Sequence, residues 1–279
     1  MPTAHFQRAH VPRRTGTKPK TPVPDLLLDW QRSVVDAAAR EAARQEMWPD
    51  VEIALDTAEQ QRGEPLDDEE REVVIEELFV LEQARFDALG ARYLAQFSQQ
   101  PERTIQRALL EHRPRIAQRR DPFTPVAQRD ALARAREIVL WESATAMVLA
   151  DLLSPAPKAL VVPKQPAMLP PDASKATLDE LALLGAHVAD AFTALTGAPP
   201  ARVWVSPPHD VAVKQLHVHV TPDLPDWRSF FDVAGEPVRA IEAMRDPAVR
   251  AQMHAFFRKL AHALEQRLGP GSGLGPAGP

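Results

Sequence analysis

Lys214-Gln215-Leu216-His217-Val218-His219-Val220-Thr221 alternates polar and apolar residues along its length. Successive side chains of an extended chain point to opposite faces, so Gln215, His217 and His219 share one face and Leu216, Val218 and Val220 the other. This is the pattern of a strand, expected over Lys214–Thr221, with one face in the core. Two histidines at this spacing stand about 7 Å apart. They suit an anionic group or a metal ion, and suit equally a half-exposed face with no role.

Working outward, four more short runs read as strands: Ile138–Trp141, Met147–Leu152, Ala159–Val162 and Arg202–Val205. Thr177–Leu195 interrupts them with apolar residues at Leu178, Leu181, Val188, Phe192 and Leu195 at helical spacing, and Gly197 follows as a stop. Connections this short between the early strands favour antiparallel pairing. The expected fold class is therefore α+β, an antiparallel sheet with a long helix packed on one face.

Helices flank this unit. Leu26–Met47 is one expectation, capped by Asp25 and ended by Pro49. A second starts after Pro65, with Asp67 to Glu70 at the positive end of its dipole, and runs to about Phe97. Its stripe of Ile75, Phe79, Phe86, Leu89, Tyr93 and Phe97 reads as a core-facing side. Ile105–Ala117 reads as a shorter helix broken or kinked at Pro114, and Val126–Arg136 as another. Val238–Leu268 reads as one or two helices interrupted near Asp246-Pro247. Met1–Pro24 carries Arg8, Arg13, Arg14, Lys18 and Lys20 with no acidic residue and reads as an unstructured basic tail. The expected organisation is thus a tail over 1–24, a helical region over 25–120, the α+β domain over 121–235, helices over 236–268 and a Gly/Pro-rich tail over 269–279.

The 279 residues contain no cysteine, which removes disulfides, thiolate metal sites and cysteine nucleophiles. Nothing approaches the roughly 18 to 20 apolar residues of a membrane span, and no secretory signal opens the chain, so the expected location is cytoplasmic. A net charge of -5 argues against a general nucleic-acid-coating surface and leaves the basic N-terminal tail as the segment through which nucleic acid would be met.

Several segments resemble the histidine-triad (HIT) superfamily in that family's own order. Ile138–Glu142 resembles its opening strand, and Asp151-Leu152-Leu153-Ser154-Pro155-Ala156-Pro157 its aspartate segment. Leu160–Lys164 is similar to its strand ending in Pro-Lys, and Gln215–Pro222 to its triad strand. The resemblance implies a nucleotide or nucleotide-containing small molecule as ligand, no cofactor, no metal ion and a homodimer. It places His217 as the nucleophile that would form a nucleotidyl-histidine, His219 beside it for phosphate orientation, and Asp151, with the adjoining Leu152, at the ribose hydroxyls. Gln215 stands where the first triad histidine should be, replacing a group able to carry charge with a neutral amide. Val211, Ala212 and Val213 stand where the family places phosphate donors. His209 and Lys214 are candidates to replace a lost phosphate contact. Two functions follow from the resemblance: a nucleotide hydrolase or nucleotidyltransferase, or a non-catalytic, degenerate binding module whose helical region docks a partner.

Overall fold

The computed structural model describes residues 18–128, 138–151, 158–224 and 245–271. Its centre is a five-stranded sheet in the order β1-β2-β3-β5-β4, antiparallel throughout. The strands are β1 (Val139–Glu142), β2 (Ala146–Asp151), β3 (Lys158–Pro163), β4 (Arg202–Trp204) and β5 (Val218–Thr221). The chain is α+β, as the strand and helix pattern indicated.

Alternation decides what each face carries. Val148, Ala150, Ala159, Val161, Val218 and Val220 pair across the sheet on one side and join the main core. The long helix over Lys175–Thr196 covers them. Ser174 caps it by accepting from the Thr177 N–H, and Gly197, at φ 70°, ends it in the left-handed region that glycine enters at no steric cost. Met147, Leu149, Leu160 and Val162 point the other way, where a short helix, Phe123–Ala127, lays Phe123 and Val126 on them.

In chain order the helices are α1 (Leu26–Arg62), α2 (Asp68–Leu81), α3 (Gln83–Phe97), α4 (Pro101–Ala117), α5 (Phe123–Ala127), α6 (Lys175–Thr196) and α7 (Pro247–Leu268). α1 passes through Pro49, where the sequence put its end. Proline removes one backbone donor from a helix, but Ala39, Ala43, Met47, Val51 and Leu55 keep a four-residue stride of buried contacts across it, and that packing carries the helix on. The single helix expected over 65–97 is two, α2 and α3, parted at Glu82. Its stripe is half-buried rather than core, because neither α2 nor α3 has a fully buried residue. α4 keeps Pro114 inside it. Of the helix expected over Val126–Arg136, residues 129–137 lie outside the described residues, as do 225–244 and Leu152. α7 begins where Asp246 caps it and stacks Phe256 on Phe192 of α6 at 6.0 Å.

The strand expected over Lys214–Thr221 forms ladder pairs only from Val218. Its first half is diverted: the Leu216 N–H donates to the Ala167 carbonyl at 2.6 Å in the loop after β3.

The chain before α1 is tied down by a carboxylate. Asp190 on α6 is 5% exposed and accepts from the Lys20 N–H (2.7 Å), the Thr21 N–H (2.8 Å), the Thr21 hydroxyl (2.7 Å) and the Arg267 guanidinium (3.1 Å). The segment expected to be unstructured over 1–24 is therefore anchored at Lys20 and Thr21. Burial acts to raise the Asp190 pKa, but the donors of Lys20 and Thr21, with Arg267, outweigh it and hold the group below its ordinary value. A depressed folded pKa gives stability that is present above about pH 4 and lost as pH falls through the folded value. Asp190→Asn turns an amide N–H toward these donors and is expected to cost about 2 to 3 kcal/mol at pH 7. Urea titrations at pH 7 and pH 3 check this, since the difference between wild type and variant narrows at the lower pH.

Candidate functional site

β5 is central, between β3 and β4, so its outward residues have neighbours on both sides. Leu160, His219 and Trp204 are register partners and form one row across the sheet, with Leu149 beyond Leu160. His217 is one step further along the same face, its ring edge-on to His219 at 4.6 Å and to Phe123 of α5 at 5.6 Å. Trp204 stacks on His219 at 4.3 Å and 19°. The two imidazoles thus stand between an aromatic wall from α5 and one from β4.

Hydrogen bonds set the protonation of both rings. His217 Nδ1 is 2.8 Å from the Gln215 carbonyl. A carbonyl can only accept, so Nδ1 carries the proton and Nε2 keeps its lone pair. Burial lowers the His217 pKa, against the Gln215 carbonyl and Asp151, which favour the charged ring; Lys158 adds to the lowering. His219 is held neutral, its pKa pushed down to about 2 by burial, His217 and Lys158. Its Nε2 is 3.1 Å from the buried Ser206 hydroxyl, while its buried Nδ1 has no hydrogen-bond partner among the described residues. A bare buried acceptor is tolerated better than a bare donor, which assigns the proton to Nε2, donating to Ser206.

Gln215 does something an imidazole could not do while neutral. Its side-chain nitrogen donates to the Pro163 carbonyl (3.0 Å) and the Gln165 carbonyl (3.1 Å), tying the loop after β3 to the start of β5. A neutral histidine has one donor; the amide has two on one atom. This residue is a buried tether.

Asp151 closes β2 and sits across from Lys158, with which it pairs at 3.1 Å, on the same sheet face as the histidines. His209 is elsewhere: it is exposed, in a short turn over Pro208–Asp210, its ring 6.2 Å from that of His112 on α4. Among the described residues no ring contact or hydrogen bond joins it to His217 or His219. The Lys214 side chain is exposed, and its backbone N–H donates to the Arg120 carbonyl at 2.8 Å. Sequence reasoning missed Phe123, Lys158, Trp204 and Ser206. Trp204 alone left a signal, as the aromatic residue in the strand before the triad-like strand.

No family model matches this sequence, and no curated protein matches it. Solved structures do. A zinc-bound histidine triad family protein from Mycobacterium smegmatis is 21% identical, with 52% of this chain and 92% of that one covered at a TM-score of 0.39. A hypothetical histidine triad nucleotide-binding protein from Sulfolobus tokodaii is 18% identical, with 53% and 97% covered at 0.43. A Hit-like protein involved in cell-cycle regulation from Bartonella henselae is 16% identical, with 50% and 93% covered at 0.38. Each is a distant likeness over about half of this chain. Among the described residues no group of three or more His, Asp or Glu side chains could hold a metal ion.

The histidines supply a pH test. With folded pKa values below the ordinary value near 6.5, both rings stay neutral in the folded chain where the unfolded chain takes up protons. Their contribution to stability is complete above pH 6.5 and falls below it. Nitrogen-15 spectra should show His217 as the Nδ1–H tautomer at pH 7.5 and His219 neutral from pH 7.5 to 5, and the urea midpoint should drop over that interval.

Proposed function

We propose that this chain carries a histidine-triad-like module that binds a nucleotide on the sheet face around His217 and His219 without turning it over efficiently. The observation that carries this reading is the engagement of Gln215. Phosphoryl transfer needs donors or cations aimed at charge that develops on the transferring group. At the first triad position the donor is spent on two backbone carbonyls, and the two imidazoles beyond it are neutral. Lys158 is paired with Asp151. Binding asks less. Neutral imidazoles and two aromatic walls suit a nucleoside, and the Asp151 carboxylate suits ribose hydroxyls, which donate to it.

A second reading, the nucleotidyl-histidine enzyme, is favoured by one observation: the fixed Nδ1–H tautomer leaves the His217 Nε2 lone pair available. In that reading Nε2 attacks the α-phosphorus, a P–N bond forms as the P–O or P–N bond to the leaving group breaks, and water then displaces the histidine. His209 and Lys214 have no part in either reading.

Calorimetric titration with AMP and GMP, alongside turnover of a nucleoside phosphoramidate, separates the possibilities. The expected outcome is saturable binding, weakened about tenfold by Asp151→Asn, on the order of one charged-acceptor hydrogen bond, with turnover no greater than that of His217→Ala. Turnover abolished by His217→Ala would make the enzyme reading correct. Absence of binding to any nucleotide would overturn both.

A further inference from the structure

Beside the histidine face, and separated from it by the Trp204 ring, runs a groove of about 1680 Å³ between α1 and α4 on one side and β4 with the turn after it on the other. Trp204 belongs to both: one face of its ring stacks on His219, and it also lines the groove, with the Arg202 guanidinium 5.4 Å from its centroid. The groove is far larger than a mononucleotide's phosphate requires.

Its charge is the second observation. Seven arginines line it against five carboxylates. Arg32 and Arg40 are spent on Asp29 and Asp36. Arg44, Arg103, Arg107, Arg115 and Arg202 are exposed and make no ion pair among the described residues. The remaining carboxylates are Glu41, which accepts from Gln45, Glu111, beside His112, and Asp210, beside His209. In a chain of net charge -5 this is a local reversal of sign. Half-buried Phe86 and Phe97 line the same groove, so planar apolar surface alternates with guanidinium groups.

We infer that this groove binds a short single-stranded nucleic acid whose terminal nucleotide occupies the histidine face. A phosphodiester chain leaving that face past Trp204 enters between α4 and β4, where arginines meet phosphates and aromatic rings meet bases, the combination by which single strands are held without sequence preference. The inference rests on the nucleotide-binding reading above and gives the helical region the task of supplying half of the groove. It differs from the expectation that nucleic acid would be met only through the basic N-terminal tail.

The test is fluorescence anisotropy of a 5′-labelled eight-nucleotide oligodeoxythymidine with the full chain, at several salt concentrations, for wild type and for Arg103→Ala/Arg107→Ala/Arg115→Ala. All three positions are exposed, and an unchanged melting temperature confirms folding; single Arg107→Glu serves if the triple variant fails to fold. The expected result is affinity reduced at least tenfold at low salt and a log-log salt slope shallower by about two, from roughly 0.7 per lost phosphate contact. Trp204→Ala is expected to weaken binding about tenfold, the effect of one stacked base. Equal binding by wild type and triple variant would overturn the inference, placing the strand on another surface such as the basic N-terminal segment. Inorganic tripolyphosphate competing as well as unlabelled oligonucleotide would also overturn it, in favour of a polyphosphate chain. AMP binding with no oligonucleotide binding would sink the groove alone, whereas loss of both would sink the nucleotide reading with it.

Discussion

The pairing of β5 between β3 and β4 is the constraint on which everything else rests. Val218 and Val220 must face α6 because the core closes there, and the two-residue period of a strand then leaves His217 and His219 no choice of side. The same register puts Trp204 directly across from His219 and Leu160 on its other flank. A slip of one residue would turn both imidazoles into the apolar core against α6 and carry two valines out of it to the α5 side, which is why the register is strongly specified. The candidate site is in this sense a by-product of closing the hydrophobic core.

Around that sheet the added helices act as supports and as walls. α5 is one turn long and has no intrinsic stability; it holds because Phe123 and Val126 are buried on Met147, Leu149, Leu160 and Val162. α1 brings Trp30 and Val34 into the main core, while its far half packs with α3, which has no buried residue of its own. Asp190 then ties the segment before α1 and the end of α7 to α6 through one buried carboxylate. The arginines of α4 are left facing open space beside β4.

Much of the sheet could be read from the chain. All five strands and α6 are signalled by alternation, by apolar spacing and by Gly197, because local propensity and tertiary burial agree there. They disagree at Pro49, where a strong local stop is overridden by continuous burial along α1, and at Glu82, where an unbroken helical composition hides a break. For the site, the His217 and His219 pair was visible in the spacing, and Asp151 in the resemblance. What Gln215 does was not, since its partners are carbonyls about fifty residues earlier in the chain. Phe123 and Ser206 were equally hidden: one reaches the site from a separate helix, the other from a loop, and neither carries a local pattern. His209, close to Lys214–Thr221 in sequence, lies beside His112 of α4 in the fold, a placement its sequence position does not signal.

Crystals grown with AMP offer the plainest decision. The nucleoside is expected beside the His217 and His219 rings, with ribose hydroxyls donating to Asp151 and the phosphate beside His217 Nε2. AMP found away from this face, with the His217 and Trp204 rings untouched, would contradict nucleotide binding at the histidine pair.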